Sequence, residues 1–170
     1  MTPEECFFRF AFPCSEVLYT VGKIDKKTFS LLQDFAEKKQ APPRELLEQT
    51  FRSAIRKIRE RMNIEDIWNL DTIKKYFLKV HNEALDDCDI DHLTRDELNK
   101  HGLLEQILKL CRIHEAAVIG IISKPSLPHK VLKVKFNSTE RNIVNLYDLN
   151  VAEGDRVIVH YGIAVEKIKL

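Results

Sequence analysis

The run Val151-Ala-Glu-Gly-Asp-Arg-Val-Ile-Val-His-Tyr-Gly-Ile-Ala-Val-Glu-Lys-Ile168 constrains the fold more than any other stretch of the chain. From Val157 to Val165 every second residue (Val157, Val159, Tyr161, Ile163, Val165) is large and apolar. That is the period of a strand with one face buried. Gly154 stands where a turn needs positive φ, and Gly162, in mid-run, marks a bulge or sharp bend of the kind that closes a small barrel. The segment reads as turn, strand, bend, strand, with His160 on the face opposite the Val157, Val159 and Tyr161 row.

The chain ahead of this run has a different period. Thr2-Pro3-Glu4-Glu5 is a capping-box start with proline at the first helical position. Phe7, Phe8, Ala11, Phe12, Val17 and Leu18 follow at helical spacing, and Pro13 must kink or break this element. A second helix is expected from Asp25 to Lys39, burying Phe29, Leu32 and Phe35. A third is expected from Pro43 through Arg61, with Leu46, Leu47, Phe51, Ile55 and Ile58 on one face. The fourth, near Asp71 to Leu85, presents Ile73, Phe77, Leu78 and Val80 or Leu85, with Trp68 packing at its approach. The fifth begins at a second capping box, Thr94-Arg-Asp-Glu97, and runs to about Ile113. After His114 the pattern becomes strand-like: Ala116 to Ile122, Lys130 to Phe136, Arg141 to Tyr147, and the final run. The expected class is α+β: a helical domain over residues 1–115, built as a bundle, followed by a small β-barrel domain over residues 116–170.

Composition bounds what such a chain does. Its 170 residues, 44% apolar and 31% charged, are ordinary for one globular domain or two small ones. No apolar run is long enough to span a bilayer, and Glu4, Glu5 and Arg9 interrupt the first apolar stretch where a secretion signal would be uninterrupted. The expectation is a cytoplasmic protein with no membrane partner. Four cysteines, Cys6, Cys14, Cys88 and Cys111, then read as reduced thiols. Residues 116–170 carry eight Lys or Arg and five Asp or Glu, and the other 115 carry nineteen and twenty-one, giving about +3 and −2.

The pattern Gly154-Asp155-x-Val157-x-Val159-His160-x-Gly162-x-Ala164-x-x-Lys167-Ile168, preceded by Lys130-Val131-Leu132-x-Val134 and by Val144-Asn145-Leu146, resembles the HypC/HupF family of hydrogenase-assembly chaperones. The resemblance covers roughly residues 117 to 170. It implies a small antiparallel, OB-like β-barrel that docks a partner protein, a hydrogenase large subunit or another maturation factor, during metallocentre assembly. In that family a cysteine just after the initiator methionine holds an iron fragment, and the histidine of Val-His-x-Gly is associated with that site. His160 and Gly162 match the second motif. Aligning Lys130-Val131-Leu132 with the family's Gly-Lys-Val-Leu puts His129 on the glycine, Pro128 on the proline and Lys124 where the cysteine stands. An ammonium coordinates no metal, so what the resemblance implies for His160, Gly162, Lys124 and His129 is partner binding.

The residues themselves offer other chemistry. Cys111-Arg-Ile-His114 would set a thiol and an imidazole at i and i+3 on one helical face, and Cys88 and His92 form the other candidate pair, inside the acidic stretch Asp86-Asp87-Cys-Asp89-Ile-Asp91-His92. Together they would be a Cys₂His₂ set for zinc or iron, although Cys111 also continues the apolar Leu104 and Leu108 row and the spacing is not that of a zinc finger. Asp87-x-Asp89-x-Asp91 starts like a calcium loop and then fails, with His92 in place of the glycine and Leu98 in place of the glutamate. Arg52, Arg56 and Lys57, with Arg59 and Arg61, form a basic cluster on the third helix that would suit a nucleic-acid backbone, but Glu45, Glu48 and Glu60 share that helix. No glycine-rich phosphate loop, nucleophile elbow or His-Glu-x-x-His occurs. The expectation is a non-enzymatic binding or assembly module without a resident cofactor. A nucleic-acid-binding protein and a metal-binding protein remain the alternatives.

Overall fold

Thr2 opens the chain's first helix with both halves of a capping box. Its hydroxyl accepts from the Glu5 amide at 3.2 Å, and the Glu5 carboxylate accepts from the Thr2 amide at 2.8 Å. The computed structural model describes residues 1–86, 102, 105 and 109–168. These divide into two compact units, Met1–Arg112 and Ile113–Leu170. The fold is mixed α+β, helical in the first unit and a closed five-stranded barrel in the second. No helix among the described residues is long and apolar enough to cross a membrane.

In the first unit, α1 (Pro3–Ala11) ends where Pro13 removes a backbone donor, and a 3₁₀ turn (Phe12–Cys14) leads into α2 (Ser15–Thr20). Asp25 caps α3 (Lys26–Glu37) by accepting from the Thr28 amide at 2.7 Å. The expected helix from Pro43 through Arg61 is two helices, α4 (Arg44–Thr50) and α5 (Arg52–Met62), broken at Phe51 with φ −107° and ψ 36°. Phe51 buries its ring edge-on to Phe7, centroids 5.9 Å apart. An aromatic side chain in the core outweighs an unbroken helix here.

Asn69 caps α6 (Leu70–Lys75) by accepting from the Asp71 and Thr72 amides, and a π-helical turn (Tyr76–Val80) joins α6 to α7 (His81–Asp86). The wider turn rotates the apolar face. Tyr76 is buried with Ile73, Phe77 and Leu85, whereas Leu78, expected inside, is exposed. The core gathers around Phe7, which packs edge-on to Phe51, Trp68 and Phe77, while Phe10 stacks on Phe77 at 5.0 Å. The expected fifth helix from Thr94 lies mostly outside the described residues. Gly102, at φ 63°, takes a left-handed conformation that a continuous helix cannot contain.

The second unit comprises β1 (His114–Ile122), β2 (Val131–Phe136), β3 (Thr139–Val144), β4 (Arg156–His160) and β5 (Ile163–Lys167), closed in the order β1-β2-β3-β5-β4. Four pairings are antiparallel. The β3–β5 seam is parallel, through Val144 and Ile163, which departs from the wholly antiparallel barrel expected. A two-residue turn, Asn137-Ser138, with both residues at positive φ, makes the β2–β3 hairpin. The barrel interior is Ala116, Val118, Leu132, Val134, Ile143, Val157, Val159 and Ala164.

Two features of the final run differ from its alternation. Tyr161 and Gly162, at φ 57° and 115°, form a tight hairpin turn that pairs His160 with Ile163 and Val159 with Ala164, and a bulge follows between Val159 and Ile158. The inward set is therefore Val157, Val159 and Ala164 rather than the expected row Val157, Val159, Tyr161, Ile163 and Val165, because a slip of one residue exchanges the faces of a strand.

Asp155 fastens the turn ahead of β4. Its Oδ2 accepts from Lys167 Nζ at 2.6 Å and from the Ala152 amide at 2.7 Å. The Lys167 hydrogen bond, then the Ala152 amide, hold its carboxyl below the ordinary value of 3.8. A carboxyl depressed by folding adds stability that is fully present above its unfolded value and is lost as pH falls through the lower folded one. Acid titration should therefore weaken the barrel as pH drops below the ordinary 3.8, and Asp155→Asn should remove that part of the acid dependence. An Asp155→Asn profile superimposable on that of the native chain would refute the assignment.

Candidate functional site

The hydrogen-bond register of the barrel aligns one residue from each of four strands on its outer face. Ile122 of β1 pairs with Val131 of β2, Val131 with Val144 of β3, and Val144 with Ile163 of β5. Leu132 and its partner Ile143 face inward, so the neighbouring Val131 and Val144 face outward. Ile122 is 36% exposed and Val144 37%, with Val131 and Ile163 half-buried. Four β-branched side chains in register thus make an apolar band partly open to solvent. Ile119, Ile121 and Leu127 of the same unit are also exposed.

Three of the four residues expected at a docking face adjoin this band. Lys124, exposed, and His129, half-buried, lie in the loop that joins Ile122 to Val131. The Gly162 carbonyl accepts from the Val144 amide at 2.8 Å, so this residue anchors the β3–β5 seam beside Ile163. Its φ of 115° suits glycine. His160 differs. It pairs with Ile163 at the end of the band but is wholly buried, as is Ile158 on the same face of β4. Its side chain offers no exposed surface to a partner.

Iron coordination as the resemblance implies it does not fit the barrel. Residues 113–170 contain no cysteine, and Lys124 places an ammonium at the matching position. Cys111 and His114 do not share the helical face expected of them. The helical segment ends at Leu110, and His114 is the first residue of β1, its ring stacked on Phe136 at 4.3 Å. Cys88 and His92 lie outside the described residues.

Cys111 instead meets Cys14, which the sequence reading left unassigned. The two Sγ atoms lie within 4.8 Å of each other, Cys111 buried and Cys14 half-buried, and no disulfide joins them. The hydrogen bond with Cys14, then burial, push the Cys111 thiol well above its ordinary value. The one clue to Cys14 was its position next to Pro13. That proline ends α1 and turns the chain at the cysteine.

The basic cluster does not form one surface. Lys57 is only 4% exposed, which removes it from any backbone-binding face, and the Arg56 guanidinium donates to Glu60 at 3.0 Å. Arg59 donates to the Glu65 carbonyl at 3.0 Å, leaving Arg52 as the exposed member of the expected trio without a described ion pair of its own. Lys57 follows Ile55 and precedes Ile58 on α5, and its alkyl stem is drawn into the same core.

No family model matches this chain, and neither a curated protein nor a solved structure matches it significantly.

Proposed function

We propose that this chain is a non-enzymatic assembly module whose barrel docks a partner protein through the Ile122–Val131–Val144–Ile163 band. The observation that carries the reading is the band itself: aliphatic side chains from four strands, held in register and partly solvated on the outer face of the barrel. A contiguous apolar patch of this kind is a candidate recognition surface. Lys124, Lys130 and His129 border it, so the partner face that suits it is apolar with an acidic rim.

The resemblance supplies the setting. The order β1-β2-β3-β5-β4 with a parallel β3–β5 seam supports an OB-like reading of the barrel. Hydrogenase metallocentre maturation is then the process, and a hydrogenase large subunit or another maturation factor the partner. Without a cysteine in the barrel, the chain keeps the docking face of that family and not its iron ligand.

Binding to a purified hydrogenase large subunit in its immature form tests the reading. The pair Ile122→Asp with Val144→Asp is expected to weaken association at least about a hundredfold, since central apolar contacts each contribute on the order of 1–2 kcal/mol or more. Lys124→Glu is expected to slow association and make it less sensitive to salt. Absence of binding by the native chain, or equal binding by the doubly substituted one, would refute the proposal.

A further inference from the structure

The structure points to a second site, in the helical unit: we propose that Cys14 and Cys111 together form a two-thiolate site for a zinc ion. The inference is independent of the docking reading, because it rests on the first unit alone.

The two residues are far apart in sequence, so only the tertiary fold brings them together. Pro13 is responsible for one half of the site. By ending α1 it forces the 3₁₀ turn Phe12–Cys14, and the sulfur then lies at the junction with α2 instead of on the flank of a continuous helix. The other half comes from Cys111, placed where the chain leaves its last helical turn at Leu110. Their ligand atoms lie within 4.8 Å. Two Zn–S bonds of about 2.3 Å at a tetrahedral angle put the sulfurs roughly 3.8 Å apart. The pair therefore spans one edge of a zinc tetrahedron with little or no movement of the backbone.

Burial is graded in the way a metal site requires. Cys111 is 4% exposed, so a cation there is poorly screened by water, and half-buried Cys14 gives an ion its path in. Two thiolates also select chemically. Sulfur ligands favour zinc and copper(I) over magnesium, calcium and manganese, which prefer oxygen. On binding, each S–H gives its proton to solvent and its sulfur lone pair to the metal, with no change of oxidation state and no co-reactant. Two protein sulfurs fill half of a tetrahedral shell, and two positions remain for further ligands.

The test is a titration of the full chain, reduced and stripped of metal, with cobalt(II) as the spectroscopic probe. Thiolate-to-cobalt charge-transfer absorption should saturate at one equivalent and be abolished by one equivalent of zinc. Cys14→Ser and Cys111→Ser should each weaken cobalt binding on the order of a hundredfold or more, beyond the loss that an outer-shell change produces. Cys6→Ala, which alters a buried cysteine outside the pair, should leave it unchanged. Because a serine variant can fail to fold, the native chain provides a second measurement. Mild oxidation by diamide, which takes two electrons and two protons from the pair to form a disulfide, should abolish cobalt uptake, and dithiothreitol should restore it. No charge-transfer band in the native chain, a band retained in both serine variants, or uptake that survives oxidation would overturn the proposal.

Discussion

Replacing Phe7 by alanine is expected to destabilise the helical unit by about 3–5 kcal/mol, the range for deleting a fully buried aromatic ring. Phe7 has no exposed surface, and its ring meets Phe51, Trp68 and Phe77 edge-on with centroids 5.9, 5.4 and 5.9 Å away. The contacts come from three separate segments. The cavity left by the ring is walled by other rings in fixed rotamers and cannot collapse cheaply. Trp68 is the only tryptophan in the chain, so urea denaturation followed by its fluorescence reports this unit directly. Leu78→Ala, on the solvent side of the π-helical turn, should change stability by less than about 0.5 kcal/mol. Comparable effects from the two substitutions would mean that the core is not arranged around Phe7.

Asn145→Ala is expected to cost the barrel about 2–4 kcal/mol, although it removes only one small polar side chain. The Asn145 amide donates to the Leu149 carbonyl at 3.0 Å and its Oδ1 accepts from the Leu149 amide at 2.9 Å, while its backbone amide donates to the Lys130 carbonyl. Asn145 is almost fully buried, so truncation strands a donor and an acceptor of Leu149, each worth about 1–3 kcal/mol when left unsatisfied. Asn145→Asp should be equally damaging, because a carboxylate keeps the acceptor, loses the donor and buries a charge. Thermal unfolding monitored by near-ultraviolet dichroism of Tyr147 and Tyr161 measures both variants. A shift within error for either would show that the loop does not depend on this side chain.

Local signals in the sequence were readable where one residue decides the outcome. The Thr2 capping box, the interruption at Pro13 and the turns at Gly154 and Gly162 each follow from the chemistry of a single side chain or its absence. So did the change of period that begins β1 at His114. Where the core competes with local preference, the reading failed. Phe51 breaks a sequence with every helical signal because its ring is needed against Phe7. The extra residue of the π-helical turn at Tyr76–Val80 moved Leu78 outward, and the hairpin turn at Tyr161 exchanged faces in the last strand. Neither leaves a mark on hydrophobic periodicity.

The candidate sites follow the same division. Lys124 and His129 can be named from the sequence alone, whereas the apolar band exists only once the register between strands is known. Cys111 was paired with His114 by a helical i, i+3 argument, which cannot anticipate Cys14 arriving beside it from the other end of the unit.

Closure of the barrel also limits how any partner can recognise it. Every strand, β1 to β5, has a neighbour on each side, but the β3–β5 seam is the single pair Val144 with Ile163. Thr139 to Ile143 are laddered to β2 and not to β5, so backbone pairing with an incoming extended segment is confined to such margins. Along the paired stretches, where the Ile122–Val131–Val144 part of the band lies, recognition must read side chains across the ladder rather than backbone along it.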